Sequence, residues 1–267
     1  MERVAVLGAG VMGEALLSGL LRSGRTPADL LVAERRPDRA TELRERYGVD
    51  VVSNLEAATR ADTLLLVVKP QDMDALLSEI AGVVTPATLV ISLAAGITTA
   101  FIESRLVAGV AVVRVMPNTP ALVDEGMSAI SGGTNCDELH LAAAETLLGS
   151  VGRVLRVPEK HQDAVTAISG SGPAYIYYVV EAMIEAGVLL GLPRVTSSEL
   201  VVQTLFGAAT MLRETGEHPT VLRENVTSPA GTTVAALREL DDHKVRAAFL
   251  SAMEAARDRS RELAGGA

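Results

Sequence analysis

The stretch VAVLGAGVMGEALL, residues 4–17, decides the fold of this chain. It begins with four apolar residues, continues with glycines at positions 8, 10 and 13, and ends in an apolar segment of good helix formers. A short buried strand, a tight glycine turn and a helix in direct succession are typical of the first unit of a parallel sheet covered by helices. We therefore predict an α/β fold whose sheet begins at residue 4.

The glycine spacing predicts a particular ligand for this turn. Gly8 suits the tight turn, Gly10 lets the backbone approach a pyrophosphate group, and Gly13 lets the helix pack closely on the strand. The N–H groups around Val11 and Met12 lie at the start of the helix, where the helix dipole attracts phosphate. The N-terminal part is thus predicted to be a Rossmann-type domain that binds a dinucleotide through these five residues.

The residues after the second predicted strand bear on which dinucleotide is bound. Glu34 lies 21 residues after Gly13, in the region from which an acidic side chain binds the ribose hydroxyls of NAD. Arg35 and Arg36 follow directly, and a guanidinium group pairs well with the 2′-phosphate of NADP. Arginines in a solvated loop are also ordinary. The residues alone leave NADH and NADPH open.

Seven further β-branched runs follow in the first part of the chain, separated by amphipathic segments. Several are apolar throughout, which is typical of strands that helices cover on both faces. We predict a parallel sheet, because strands that alternate with helical segments build βαβ units. The eight predicted strands are Val4–Leu7, Leu30–Ala33, Val49–Val52, Thr63–Val68, Leu89–Leu93, Val110–Val115, Met127–Ser131 and Arg153–Val157.

The character of the sequence changes after Pro158, where strand-like runs end and long helical segments begin. We predict two domains, residues 1–158 and residues 159–267. The second should be an all-helical dimerisation domain, because its apolar positions outnumber what one small domain can bury and a partner subunit would cover the remainder. The predicted helices are Pro173–Leu190, a second capped by Ser197 or Ser198 and ending at Arg213, Thr232–Leu240 and His243–Leu263.

The composition excludes several classes of protein. Of the 267 residues, 48% are hydrophobic and 21% are charged, which argues against disorder. The net charge of −9 and the lack of a basic run argue against nucleic acid or a membrane surface as a partner. Apolar runs stay well below the ~20 residues of a membrane span. The single cysteine, Cys136, excludes an internal disulfide and fits the cytoplasm, and four scattered histidines predict no metal site.

Three further segments are specific enough to indicate relatives. They read RVMPNTPA at residues 114–121, SGSGPAY at residues 169–175 and VTSPAGTT at residues 226–233. With the glycine turn, they resemble the Δ1-pyrroline-5-carboxylate reductase family over the whole chain, in the right order. The resemblance implies reduction of the cyclic imine 1-pyrroline-5-carboxylate to L-proline by NAD(P)H, the last step of proline biosynthesis, with a lean to NADPH. It also implies a homodimer formed through the helical domain, often assembled as a decamer of five dimers.

The resemblance also implies functional residues. Thr233 matches the threonine whose hydroxyl lies at the substrate's ring nitrogen, so it is expected to be catalytic, with ordinary helix capping as the alternative. The preceding loop can bind the substrate carboxylate through hydroxyls and helix-start N–H groups, whereas the segment around Ser171 either lines the cleft or makes a close-packed helix entry. The expected substrate-binding residues are Ser228, Gly231, Thr232, Thr233 and Ser171. Further coenzyme contacts are expected from Asn54, Lys69, Pro70, Ala94, Ala95 and Asn118.

Two positions depart from the family pattern. Val115 stands where the family usually has alanine, at the end of a buried strand, and should be tolerated. Ala230 stands where the loop usually has glycine. If this position requires a positive φ, the alanine strains the loop by about 1 kcal/mol or more.

Two other functions share parts of this pattern. A related reductase could act on another cyclic imine or on a β-hydroxy acid, but the latter usually needs a catalytic lysine in the helical domain. The lysines after Lys69 are Lys160 and Lys244, and neither lies in a recognisable site motif. A dinucleotide-binding sensor without turnover is the other alternative, and the intact loop at residues 227–233 argues against it.

Overall fold

Within residues 3–265, which the computed structural model describes, eight strands form one sheet. Each predicted strand is present, with its ends moved by at most two residues. The strands are β1 Val4–Leu7, β2 Leu30–Ala33, β3 Asp50–Val52, β4 Thr63–Leu66, β5 Leu89–Ser92, β6 Ala111–Met116, β7 Gly126–Gly132 and β8 Gly152–Arg156.

The strand order across the sheet is β3-β2-β1-β4-β5-β6-β7-β8. The strands from β3 to β6 are parallel, and Val4 of β1 lies beside Leu30 on one side and Thr63 on the other. The prediction of a parallel sheet is wrong at one junction, since β7 runs antiparallel to β6. Residues 117–125 join these two strands, and so short a connection cannot make the crossover that a parallel neighbour requires. Strand β8 is again parallel to β7.

Helices cover both faces of the sheet, as the apolar strands predict. Alternate residues of β1 point to opposite sides: Val4 and Val6 belong to one apolar cluster, and Ala5 and Leu7 to another. Parallel strands buried on both faces need no polar residues along them, which explains their continuous apolar runs. The helices of this part are α1 Val11–Arg22, α2 Pro37–Tyr47, α3 Asn54–Arg60, α4 Met73–Ile80, α5 Thr99–Glu103 and α6 Glu138–Leu148.

The rest of the described chain is helical. Prediction of a capping serine for the second long helix is wrong, because this helix begins directly after Pro193 and Ser197 lies inside it. The Ser197 hydroxyl instead donates to the carbonyl of Ile184 at 2.8 Å. Two short helices, Gln162–Val165 and Pro219–Asn225, are not predicted by the sequence. The helices are α7 Gln162–Val165, α8 Gly172–Leu189, α9 Arg194–Thr215, α10 Pro219–Asn225, α11 Thr232–Asp242 and α12 Val245–Gly265, with a π-helical turn at Thr166–Gly170.

The described chain divides into two compact units. The first contains the sheet, residues up to Pro173 and the part of α12 from Ala255 onward, while the second is Ala174–Glu254. Within the first unit, the Ser260 hydroxyl on α12 donates to the Asp163 carboxylate at 2.8 Å, which joins the C-terminal helix to α7. The predicted domain boundary after residue 158 stays a prediction.

Helices α8 and α9 carry many exposed apolar side chains, as expected if a partner subunit covers them. Tyr178 is 75% exposed and Leu189 is 87% exposed. None of the helices in the described residues has the length and apolar character needed to cross a membrane. The other large exposed apolar residues of these two helices are Ile176, Tyr177, Met183, Val188, Val195, Leu200, Val202, Leu205, Phe206, Met211 and Leu212.

Candidate functional site

The three glycines after β1 each have a distinct steric reason. Gly8 adopts φ 101°, and a Cβ there would lie 2.8 Å from the Val67 carbonyl oxygen. A Cβ at Gly13 would overlap the Gly8 carbonyl oxygen, so the helix could not pack this closely on the strand. At Gly10, by contrast, a Cβ would meet no atom of the described residues within 4 Å. The turn is therefore closed around Gly8 and Gly13 and open at Gly10.

Helix α1 begins at this open position. Gly10 is its N-cap residue and has no side chain with which to cap the helix. The N–H groups of Val11, Met12 and Gly13 lie in the first turn, before the point where Glu14 donates to the Gly10 carbonyl at 2.9 Å. Free N–H groups at the positive end of a helix dipole suit a phosphate group. The geometry fits the pyrophosphate of a dinucleotide.

A cavity of about 470 Å³ lies beyond the ends of β2 and β3. Glu34, Arg35 and Asn54, three of the residues predicted to bind the coenzyme, line this cavity, whereas Arg36 does not. In this fold the ribose and adenine of a dinucleotide bind at the carboxyl end of the second strand. The lining residues are Ala33, Glu34, Arg35, Ala40, Arg44, Val51, Val52, Ser53, Asn54 and Glu79.

Glu34 and Arg36, two of the three residues that leave the choice between NADH and NADPH open in the sequence, are hydrogen-bonded to each other. Glu34 Oε1 accepts hydrogen bonds from the backbone N–H and the Nε of Arg36, at 3.0 and 3.2 Å. Burial alone raises the pKa of Glu34, but the hydrogen bonds from Arg36 outweigh it and hold this pKa below its ordinary value. The carboxylate is thus ionised and paired with Arg36. Arg35, in contrast, lines the cavity and is exposed.

A cluster around Glu14 fixes helix α2 against helix α1. Glu14 accepts hydrogen bonds from Arg39, from Arg46 at 3.0 Å and from the Tyr47 hydroxyl at 2.8 Å. These bonds outweigh the effect of burial, so the pKa of Glu14 lies below its ordinary value. Because α2 follows the Glu34–Arg36 loop, the cluster also holds one side of the cavity. No sequence motif predicts this cluster.

The loops after β4 and β5 hold four more of the predicted coenzyme residues. Lys69 and Pro70 are exposed, and Pro70 begins a 3₁₀ turn. Ala94 is buried and Ala95 is exposed, both directly after β5. Because β1, β4 and β5 are parallel neighbours, these loops lie along the same edge of the sheet as the glycine turn.

Asn118 connects the end of β6 to its surroundings. Its Oδ1 accepts from the Met127 N–H at 2.8 Å, and its Nδ2 donates to the Ser169 carbonyl at 3.2 Å. A Cβ at Gly170 would overlap the Met116 side chain. These contacts favour the close-packed helix entry over a ligand-facing loop for the segment that contains Ser171.

Glu159, which no sequence motif predicts, joins three segments of the chain. Glu159 Oε1 accepts from the Thr99 N–H at 2.8 Å and from Arg114 Nη1 at 3.3 Å, while Oε2 accepts from the Thr99 hydroxyl at 2.7 Å. Arg114 is 6% exposed, so its charge needs this partner. The sequence signal for this network is Arg114 itself, because a charged residue within the apolar strand β6 requires an acidic partner. The network fixes the loop that begins at Ala94.

The predicted substrate loop lies at the start of α11, in the second unit. Gly231 is the N-cap residue of α11, and its N–H donates to the Ser228 carbonyl at 3.0 Å. Thr232 and Thr233 are the first two residues of the helix. A Cβ at Gly231 would lie 2.5 Å from Ser228 Oγ. The structure therefore brings these four predicted residues together at a helix start that has no side-chain cap.

Ala230 in this loop has a positive φ of 57°. The predicted strain is therefore present in this loop, because left-handed backbone is unfavourable for alanine. Ser171, the fifth predicted substrate residue, belongs to the first unit. Among the described residues, no group of three or more histidine, cysteine or acidic side chains is arranged to hold a metal ion.

Comparison with known proteins places two family models on this chain. Residues 159–263 match the model described as pyrroline-5-carboxylate reductase dimerisation. Residues 3–96 match the model described as NADP oxidoreductase coenzyme F420-dependent. The predicted order, a Rossmann-type domain followed by a helical dimerisation domain, is confirmed.

Full-length relatives agree with these models. The chain is 49% identical to the pyrroline-5-carboxylate reductase of Corynebacterium melassecola, over 98% of this chain and 99% of the relative. It is 43% identical to that of Mycobacterium tuberculosis, over 98% and 97%. A solved reductase structure from Coxiella burnetii matches with a TM-score of 0.94 and 36% identity, over 98% of each chain. A Plasmodium falciparum pyrroline carboxylate reductase structure with NADP bound matches at 0.88 and 29%, also over 98% of each. The chain belongs to the pyrroline-5-carboxylate reductase family.

Proposed function

We propose that this chain reduces the C=N bond of 1-pyrroline-5-carboxylate with NADPH, giving L-proline in the last step of proline biosynthesis. The observation that carries the proposal is the start of α11, where Ser228, Thr232 and Thr233 surround a helix N-terminus capped by a glycine. Full-length relatives with the corresponding name support it. The glycine turn that fits a pyrophosphate group supplies the second requirement, a dinucleotide.

The substrate carboxylate is proposed to bind at the start of α11. The backbone N–H groups of Thr232 and Thr233 and the hydroxyls of Ser228 and Thr232 are donors, and the helix dipole favours a negative charge there. Gly231 shapes this helix start, since its own N–H donates to the Ser228 carbonyl. Thr233 is proposed to place its hydroxyl at the ring nitrogen. As hydride adds to the imine carbon, the C=N electron pair moves to nitrogen, which takes a proton with the help of this hydroxyl. Ser171 is kept as a weaker substrate contact.

The coenzyme supplies the hydride when bound, and the chain's own residues position it. The glycine turn would hold the pyrophosphate group through Gly8, Gly10, Val11, Met12 and Gly13. The site for the adenosine end of the coenzyme would be formed by Glu34, Arg35, Arg36 and Asn54. The remaining contacts are proposed from Lys69, Pro70, Ala94, Ala95 and Asn118, the last through the packing of its loop.

NADPH is the proposed coenzyme rather than NADH. Arg36 already occupies the Glu34 carboxylate that would otherwise bind a ribose hydroxyl, while Arg35 lines the cavity and can pair with a 2′-phosphate. A related solved structure holds NADP, which supports the same choice. NADH remains the second substrate to test.

The assembly is proposed to be a homodimer through the helical region, with five dimers in a decamer. The match of residues 159–263 to a dimerisation model and the exposed apolar faces of α8 and α9 support the dimer. A single cysteine and a reduced coenzyme fit a cytoplasmic location.

The test is absorbance of reduced nicotinamide in the presence of 1-pyrroline-5-carboxylate, with NADPH and NADH in parallel and L-proline identified as the product. We expect oxidation of both, with the larger kcat/KM for NADPH. If the chain binds the coenzyme but no imine causes the coenzyme to be oxidised, the result would contradict the reductase and support the sensor. Turnover of a different cyclic imine alone would redirect the substrate assignment.

A further inference from the structure

One acidic residue outside every sequence motif lies between two proposed coenzyme residues. Glu79, near the end of α4, accepts a hydrogen bond at its Oε2 from Asn54 Nδ2 at 2.8 Å. The same oxygen is 4.0 Å from Arg35 Nη2. All three side chains line the cavity beyond β2 and β3. Glu79 thus contacts one group proposed to bind either coenzyme and one proposed to bind the 2′-phosphate.

The other charged groups of the cavity have closer partners. Glu34 is paired with Arg36, and Arg44 donates to the Val51 carbonyl at 2.7 Å. Within the described residues, Arg35 is the only arginine whose guanidinium lies within salt-bridge distance of Glu79. A 2′-phosphate bound by Arg35 would therefore enter beside an ionised carboxylate, and like charges repel at this range.

We propose that Glu79 is a positioning residue that reduces the preference for the 2′-phosphorylated coenzyme. Its charge competes with the phosphate for Arg35, and its oxygen holds the Asn54 amide in place for both coenzymes. The side chains of Glu79 and Arg35 are 39% and 68% exposed, so solvent screens the pair and the effect is a modest one. The inference rests on the proposed function, because it assumes that the cavity holds the adenosine end of the coenzyme.

Glu79→Gln separates the effect of the negative charge beside Arg35 from the effect of the hydrogen bond that positions Asn54. Glutamine keeps an oxygen that accepts from Asn54 and loses the negative charge. The probes are adenosine 2′,5′-bisphosphate and 5′-AMP, titrated calorimetrically into the full-length protein, since they differ in the 2′-phosphate alone. We expect Kd for the bisphosphate to fall about three- to tenfold, with Kd for 5′-AMP changed by less than about twofold.

Two further variants control this experiment. Asp74→Asn removes the same charge from the same helix, but its carboxylate pairs with Arg105 at 2.7 Å and does not line the cavity, so neither Kd should change. In the Arg35→Gln background, Glu79→Gln should improve bisphosphate binding less than in the unchanged chain. Glu79→Ala, which also removes the acceptor for Asn54, should weaken 5′-AMP relative to Glu79→Gln.

Steady-state kinetics give the second readout. The ratio of kcat/KM for NADPH to that for NADH should rise in Glu79→Gln, through KM for NADPH rather than kcat. An equal change for both fragments, or the same change in Asp74→Asn, would overturn the inference. Binding of the fragments without reduction of any imine would overturn the reaction and leave the role of Glu79 standing. Failure of the unchanged chain to bind either fragment would contradict both.

Discussion

Thr233 is the residue on which the proposed chemistry depends most. It occupies the second position of α11, after an N-cap that is Gly231, so helix capping does not explain its hydroxyl. Thr233→Ala should lower kcat/KM for the imine by one to three orders of magnitude, at roughly 1.4 kcal/mol per tenfold. Steady-state kinetics measure this.

Two controls accompany the Thr233 variant. Thr233→Ser keeps the hydroxyl and should recover most of the activity, and Kd for NADPH should be the same in both variants. Unchanged kcat/KM in Thr233→Ala would remove this residue from the mechanism.

Ala230 carries backbone strain that glycine would relieve. The left-handed conformation costs alanine about 1–2 kcal/mol, of which the greater flexibility of glycine in the unfolded chain offsets a part. Ala230→Gly should therefore raise the free energy of unfolding by about 0.5–1 kcal/mol, measured by urea denaturation.

Lys244 offers a matched position for this test, since its φ is also 57° and it lies outside the substrate loop. Lys244→Gly should stabilise the chain to a similar extent without affecting kinetics. A loss of stability in Ala230→Gly would show that the alanine side chain stabilises the loop by more than its strain.

At the scale of single residues, the sequence predicts roles that depend on neighbours along the chain and misses contacts between residues far apart in sequence. The roles of Gly8 and Gly13 follow from the spacing, because φ and close backbone approach depend on immediate neighbours. The pairing of Glu34 with Arg36 was not predicted, although both residues were named, because side-chain choice among several partners depends on burial. Glu79 was missed altogether, since α4 meets the Asn54 loop only in the folded chain.

At the scale of elements, the Glu14 cluster couples α1 to α2 in a pH-dependent way. In the folded chain the pKa of the Glu14 carboxyl lies below its ordinary value of 4.5. The contribution of Glu14 to stability is therefore present above pH 4.5 and is lost as pH falls through the folded pKa. Glu14→Gln should lower the free energy of unfolding by about 1–3 kcal/mol at pH 7.

The difference between Glu14→Gln and the unchanged chain should shrink as pH falls from 4.5 through the lower pKa of the folded state, because the unfolded chain takes up the proton first and the folded carboxylate only at lower pH. Urea denaturation between pH 7 and pH 3 follows it. A difference that is independent of pH would indicate that shape rather than charge couples the two helices.

The Glu159 network couples β6 to the loop after β5. Glu159→Gln leaves the buried guanidinium of Arg114 without a counter-charge and should cost about 2–4 kcal/mol in the free energy of unfolding. Glu138→Gln is the matched control, because Glu138 pairs with Arg156 on the surface and should change stability by less than about 1 kcal/mol. Equal effects of the two substitutions would contradict the structural role given to Glu159.

Elements were predicted as far as their signals lie within one segment. All eight strands follow from apolar runs, yet the direction of β7 depends on the length of its connection to β6. The start of α9 was displaced because Pro193 opens it, and Ser197, which resembles a cap, has a better partner in the Ile184 carbonyl.

For the whole molecule, the exposed apolar faces of α8 and α9 predict that assembly and stability are linked. Tyr178→Glu should shift the protein toward monomer in sedimentation at micromolar concentration and make its Tm depend on protein concentration. Leu139→Glu is the matched control, because Leu139 is also exposed but lies on α6, outside the helical region. Loss of assembly in both variants, or in neither, would argue against α8 as the interface.

The order of the two parts of the chain was predictable because the change from strands to helices is visible in composition. The compact units were harder to foresee, since part of the last helix belongs with the sheet. A long-range contact such as Ser260 to Asp163 leaves no periodic signal in either segment.

This return of α12 has a consequence for synthesis on the ribosome. The first unit is discontinuous in sequence, because the whole second unit, Ala174–Glu254, is inserted before its last segment, the part of α12 from Ala255 onward. The sheet emerges first, yet the nascent chain must deliver residues beyond Ala255 before α7 gains its neighbour. The first unit can therefore complete its packing only after the whole second unit has been synthesised.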